Sequence, residues 1–113
     1  MQIEKAADGD VTTLKISGEI DLHASPALRT ELQACLEEKT PRLLLDFTDV
    51  GYIDSSGLAT LIEYVRECGK FGGRLALFGL KAKVKTIFEL VRLNELFSIS
   101  ATSDEALAAI AAK

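Results

Sequence analysis

The sequence predicts a single α/β domain: a mixed β-sheet that opens with an N-terminal hairpin and continues as alternating helices and strands. Three observations carry this expectation. The first twenty residues alternate polar and apolar positions around the turn Asp8-Gly9-Asp10, as two strands joined tightly would. Short apolar runs at Leu43–Phe47 and Leu75–Phe78 are bounded by turn residues, the mark of buried central strands. Between and after them, apolar residues recur every three or four positions, the period of helices packed on a sheet. Strands alternating with helices call for right-handed crossovers and parallel pairing beyond the hairpin.

In chain order, Met1–Lys5 alternates weakly and pairs across the turn with Val11–Ser17, where Val11, Leu14 and Ile16 give a half-buried strand. Gly18 opens a loop through His23. Ser25 reads as the N-cap of the first helix and Pro26 as its first residue, where the missing N–H costs nothing. Leu28, Leu32, Cys35 and Leu36 form its inner face, and Thr40-Pro41 stops it, because a residue before proline is pushed out of the helical region. The strand Leu43–Phe47 leads through a turn to a second helix starting near Asp54–Ser56, with Leu58, Leu61, Ile62 and Val65 inward. Gly69 and Gly72-Gly73 end it. A strand at Leu75–Phe78 and a third helix over Lys81–Leu93 follow, the helix burying Val84, Ile87, Phe88 and Val91. Leu96–Ile99 reads as a last strand, and Ser103 as the cap of a final helix with Leu107 and Ile110 inward.

At 113 residues the chain has the length of one domain, 1–113, able to bury roughly two-thirds of its unfolded surface without metal or disulfide. Its apolar runs are far shorter than the roughly 20 residues a membrane helix needs, and residues 1–20 lack a signal-peptide core. The expectation is a cytoplasmic protein without a membrane span. Thirteen bases against seventeen acids give a net charge of −4, which argues against a nucleic-acid binder. Residues 66–85 nevertheless hold six bases, Arg66, Lys70, Arg74, Lys81, Lys83 and Lys85, against the single acid Glu67. They form either a solvated basic face or half of an electrostatic docking surface. Cys35 and Cys68 stand apart without C-x-x-C spacing, and His23 is the only histidine, so no metal site is expected and both thiols read as packing residues.

The stretch LLDFTDVGYIDSSGL at Leu44–Leu58 is the most informative. It takes a buried strand through a turn into a helix that begins with D-S-S-G, so two serines meet the positive end of a helix and its free backbone N–H groups. Loops at the carboxyl ends of strands are where ligands and partners engage an α/β sheet. Three readings of Ser55 and Ser56 stand side by side. Asp54 or a serine caps the helix and does nothing else. Or a serine is a nucleophile, which needs a base; the one imidazole, His23, lies in a loop, where it is more often solvated than catalytic, and there is no G-x-S-x-G elbow. Or a serine is phosphorylated, gaining roughly −1.5 to −2 charges beside Asp54, with Asp21, Asp46 and Asp49 as further expected acidic neighbours, partly offset by the helix dipole. The last case is a binding switch without refolding. No G-x-x-x-x-G-K-[ST] or G-x-G-x-x-G loop is present, so no nucleotide or other cofactor is expected.

Three segments, GEIDLHAS at Gly18–Ser25, LLLDFTDVGYIDSSGL at Leu43–Leu58 and KTIFELVRLNELFSI at Lys85–Ile99, together resemble the STAS domain family, the fold shared by bacterial anti-sigma factor antagonists and sulfate-transporter tails. The resemblance covers essentially the whole chain, and D-S-S-G-L is its specific part. It implies that Ser55, directly after the aspartate, is phosphorylated by an anti-sigma factor serine kinase. It further implies that Ser56 is the adjacent capping hydroxyl, that Asp54 shapes the kinase-facing surface, and that Asp21 lies near the site. The unphosphorylated domain would bind the kinase and free a sigma factor, phosphorylation would end that binding, and a phosphoserine phosphatase would restore it. The ATP site would belong to the kinase, leaving this domain without catalysis of its own. The alternative within the same fold is a constitutive adaptor subunit of a transport or stress-signalling complex. Ile53, Gly57, Leu58 and Ala59 are expected to complete an exposed contact surface around the serine, with His23 a solvated loop residue.

Overall fold

A computed structural model of the chain describes residues 1–111; the expected domain end at Lys113 lies outside them. The elements are β1 (Gln2–Asp8), β2 (Val11–Ile20), α1 (Ser25–Glu37), β3 (Arg42–Ile53), α2 (Ser55–Cys68), β4 (Arg74–Phe78), α3 (Ala82–Leu90), β5 (Ser98–Ser100) and α4 (Ser103–Ala111). The hairpin closes on Gly9 and Asp10, with Asp8 opposite Val11 and Gly9 at φ +63°, the first loop position at which a type II′ turn needs glycine. The five strands lie in sequence order, β1 antiparallel to β2 and all later neighbours parallel. The sheet is therefore mixed, with its antiparallel part at the hairpin, as the sequence predicts.

Alternation along the central strands divides the core. Leu43, Leu45 and Leu77 face one side, where they meet Leu28, Leu32 and Cys35 of α1, Leu61, Tyr64 and Cys68 of α2, and Val84 and Phe88 of α3. Leu44 and Ala76 face the other, covered by Ala106 and Ile110 of α4. Phe88 stands edge-on to Phe47 and Phe97, with ring centres 6.2 and 5.8 Å apart, a favoured aromatic geometry. Both cysteines are buried and free; burial pushes their thiols up, which keeps them protonated and inert.

Several boundaries differ from the sequence reading, each for a local reason. Strand β2 continues through Gly18 to Ile20, and β3 continues past Phe47 to Ile53. Between Lys15 and Ser17, and again between Gly18 and Glu19, the pairing skips a residue of β3. These bulges let the turn-forming residues Asp49 and Gly51 stay in the strand, and they bring Phe47, Val50 and Ile53 to the core at a spacing of three that plain alternation forbids. Helix α1 has Ala24 at its N-cap, and Ser25 is its first helical residue; Asp21 supplies the missing cap, its Oδ1 accepting from Ala24 N at 3.0 Å. Helix α3 stops at Leu90 because Arg92 turns left-handed at φ +60°, which leaves Val91 exposed rather than buried. The last strand is Ser98–Ser100, not Leu96–Ile99, and Leu96 is exposed. The side-chain cap of α4 is Thr102, whose Oγ1 accepts from Glu105 N at 3.2 Å. Ala106 takes the inner position expected of Leu107.

The basic cluster is not one surface. Arg74 begins β4 and donates to the Ala109 carbonyl, while Arg42 donates to those of Ile110 and Ala111. Two guanidinium groups thus cover the negative end of α4. Lys70 pairs with Glu67 at 3.0 Å. Lys81, Lys83 and Lys85 lie beyond the far end of β4, at the start of α3.

Tyr64 is the largest fully buried side chain, 1% exposed, and its hydroxyl has no hydrogen-bond partner among the described residues. An unsatisfied buried hydroxyl costs roughly 1–3 kcal/mol. Tyr64→Phe should therefore raise the unfolding free energy by about 1 kcal/mol, measured as a higher urea midpoint at unchanged slope.

Candidate functional site

The carboxyl ends of β2 and β3 lie side by side, Ile20 opposite Ile53, and Asp54 N donates to the Ile20 carbonyl at 3.1 Å. Asp54 stays extended (φ −107°, ψ −174°) as the N-cap of α2. Its Oδ1 accepts from Ser56 N at 3.0 Å, Gly57 N at 3.2 Å and Ser56 Oγ at 2.6 Å. The Ser56 hydroxyl, ahead of the backbone N–H groups of Gly57, Ser56 and Leu22, holds the Asp54 carboxyl below the usual carboxylate range and outweighs the opposing effect of partial burial.

The two serines are bound very differently. Ser56 Oγ lies 2.8 Å from Ser25 Oγ, which in turn donates to the Asp21 carbonyl at 2.8 Å. Two hydroxyl protons serve the three contacts from Asp21 to Asp54, so the three are not all donated at once, and Ser56 Oγ is held between Ser25 and Asp54. Ser55, the first residue of α2, is exposed, and its hydroxyl has no hydrogen-bond partner among the described residues. Capping belongs to Asp54 and is reinforced by Ser56. Ser55 is left over.

The structure brings Asp21, Asp54, Ser55 and Ser56 together but corrects the expected surface around them. Ile53 is 1% exposed and Leu58 is buried with it in the core, because the strand end and the inner face of α2 converge there. Gly57 is buried too: a β-carbon on it would stand 2.7 Å from Ile20 Cγ2, 2.8 Å from Ile53 Cγ1 and 2.9 Å from the Ile20 carbonyl. Glycine at this position is what lets α2 sit down on both strand ends. Asp46 and Asp49 are not neighbours of Ser55. At about 3.3 Å per residue along β3 they lie roughly 26 and 16 Å before Asp54, where Asp46 accepts from Thr48 and Asp49 pairs with Lys15.

The exposed apolar side chains that do flank the site are not among the expected contact residues, and Leu22, in a loop expected to fold against the sheet edge, points into solvent. Leu22, 71% exposed, follows Asp21, and Tyr52 precedes Ile53 with Lys83 Nζ 5.9 Å from its ring centre. Tyr52 carries no clear signal in the sequence, because the bulges in β3 shift the alternation that would place it outside. On the other flank a cleft of about 410 Å³ is lined by Met1, Glu19, Asp21, His23, Ala24 and Ala27. Among the described residues no cluster of three or more His, Cys, Asp or Glu is placed to hold a metal, and no helix is long and apolar enough to cross a membrane.

This fold and this junction define a class. Residues 2–106 match the STAS domain family, and the chain belongs to that family. It is 34% identical over 91 residues to the anti-sigma-B factor antagonist of Bacillus subtilis (strain 168), covering 80% of this chain and 83% of that one. The crystal structure of an anti-sigma factor antagonist from Mycobacterium paratuberculosis superposes with a TM-score of 0.89 at 26% identity, over 98% and 94% of the two chains. The Bacillus cell fate determinant SpoIIAA in its phosphorylated form shares the fold, with a TM-score of 0.74 at 20% identity over 96% and 99%.

Because its folded-state titration is depressed, the Asp54 carboxylate contributes stability that is fully present above the unfolded value of about pH 3.9 and lost as pH falls below it. Asp54→Asn, which keeps a capping oxygen but cannot titrate, should be less stable than wild type at pH 6. Urea midpoints at pH 6 and pH 3 should show that difference shrinking in acid.

Proposed function

We propose that this domain is an anti-sigma factor antagonist switched by phosphorylation of Ser55. The observation that carries the reading is the asymmetry of the two serines: one hydroxyl locked between Asp54 and Ser25, the other exposed and unpartnered at the start of a helix. The relatives named as anti-sigma-B factor antagonists support the regulatory role. The domain acts in the cytoplasm, with an anti-sigma factor serine kinase and a phosphoserine phosphatase as its partners.

In the reaction proposed, the kinase brings ATP and the base. Ser55 Oγ attacks the γ-phosphorus, its proton passes to the kinase base, the bond to the β–γ bridging oxygen breaks, and ADP leaves. The domain contributes presentation and no catalysis. Afterwards a dianionic group stands beside the Asp54 carboxylate and over the N-terminus of α2. The helix dipole offsets roughly 0.3–1 kcal/mol of the like-charge repulsion, and the donors to Asp54 already stabilise that carboxylate as an anion. The cap and the fold are retained. What changes is the surface: a bulky double charge between Leu22 and Tyr52 costs desolvation and packing in any complex that uses them.

Intact-mass spectrometry after incubation with ATP and the purified anti-sigma kinase of the same organism tests the acceptor. Wild type should gain one phosphate, 80 Da (about; the mass of one phosphoryl group), and Ser55→Ala none. A phosphate persisting on Ser55→Ala would transfer the role to Ser56, and no phosphate on wild type would favour the constitutive adaptor. Leu22→Asp should weaken the unphosphorylated complex about tenfold, the effect of roughly 1.4 kcal/mol, read by titration calorimetry with the fold intact by circular dichroism.

A further inference from the structure

Four polar side chains are buried in the described domain, Thr12, Ser25, Thr40 and Thr60. Two of them, Ser25 at 5% and Thr60 at 3% exposed, lie on opposite sides of the seam between α1 and α2, Ser25 against Ser56 and Thr60 against Arg29. Away from the switch end this seam is apolar: Leu32 and Cys35 of α1 share a core with Leu61, Tyr64 and Cys68 of α2. The buried polar contacts lie at the end next to Ser55, and at the exposed rim beyond them Arg29 also pairs with Glu63 at 3.9 Å. At the Ser55 end, Ser25 meets Ser56 at 2.8 Å, and one turn further along both helices Arg29 Nη2 donates to Thr60 Oγ1 at 3.1 Å. Thr60 Oγ1 donates in turn to the Ser56 carbonyl at 2.9 Å. Both links therefore end on Ser56, one at its side chain and one at its backbone.

A threonine bonding back to the carbonyl four residues earlier is common in helices. Thr30 and Thr86 do so here at exposed positions. Thr60 differs in being buried and in receiving a guanidinium from the neighbouring helix. Apolar packing alone is non-directional and would tolerate small rotations of α2 on α1. Hydrogen bonds fix distance and angle, and burying these hydroxyls in place of methyl groups gives up apolar area.

We propose that Ser25 and Thr60 are positioning residues for the switch: together with Arg29 they lock the first turn of α2 onto α1, so that the Ser55 hydroxyl is presented in a single orientation. The proposal rests on the reading of Ser55 as phosphoryl acceptor, and two readouts keep the two separable.

The first is steady-state phosphorylation of the full chain by the anti-sigma kinase, comparing wild type with Ser25→Ala, Thr60→Val and Thr60→Ser. Misplacement of an acceptor by about an ångström can cost up to a hundredfold. Ser25→Ala and Thr60→Val should lower kcat about tenfold or more with KM within about twofold, and Thr60→Ser, which keeps the hydroxyl, should retain the wild-type kcat. The second needs no kinase. Amide hydrogen exchange at Ser56, Gly57 and Leu58 should quicken about fivefold or more in Ser25→Ala and Thr60→Val, with exchange in β3 and β4 unchanged. Unchanged exchange at these amides, or Thr60→Ser behaving as Thr60→Val does, would overturn the proposal. If wild type accepts no phosphate, the switch reading falls by itself and the exchange rates alone decide whether the ladder positions this turn.

Discussion

The cap that Asp54 places on α2 is the interaction on which the rest of the site depends. One carboxylate oxygen collects two backbone N–H groups and a serine hydroxyl, while the backbone of the same residue is bonded to the end of β2. A strand end, a helix start and a neighbouring strand are thereby joined at one residue. Without it, the first N–H groups of α2 would compete for the Ser55 hydroxyl, and Ser55 would become a cap. Engaging Ser56 in the cap is what leaves Ser55 unengaged. Gly57 completes the arrangement sterically, since any side chain there would lift the helix off Ile20 and Ile53.

Regular alternation made most of the fold legible. Leu43, Leu45 and Leu77 against Leu44 and Ala76, and the three- and four-residue spacings of α1 and α2, each name a buried face before any coordinate is known. The misread boundaries sit where tertiary structure overrides local preference. Asp49 and Gly51 look like a turn, and only their pairing with β2 through two bulges keeps them in a strand. Val91 continues the spacing of α3, yet the left-handed turn at Arg92 removes it from the helix. Ser25 looks like a cap and is not one, because Asp21, three residues before Ala24, reaches the open N–H first.

The site was legible as a motif and not as a surface. D-S-S-G marks a helix start from residue types alone, and the proximity of Asp21, expected from the family resemblance, has its physical cause in the pairing of Ile20 with Ile53. Which of Ile53, Leu58, Leu22 and Tyr52 reach solvent depends on the phase of a bulged strand, and a single slipped residue exchanges inside for outside. The links of α1 to α2, Ser25 with Ser56 and Arg29 with Thr60, each join residues thirty-one apart in sequence, a separation at which such pairs carry no pattern.

The overshoot of β3 has a consequence for how such domains diversify. Beyond its last pairing with β4 at Asp46, β3 runs on to Ile53 beside β2 alone, so Ser55 stands on a two-stranded tip outside the body of the sheet. Along that tip, residues that stabilise the domain and residues that meet solvent alternate: Ile20 with Leu22, Ile53 with Tyr52, and Leu58 with Ala59. Recognition and stability are thus written in interleaved positions of the same short segments. Substitutions at the outward positions can therefore change the chemistry of this tip without disturbing the core beneath it.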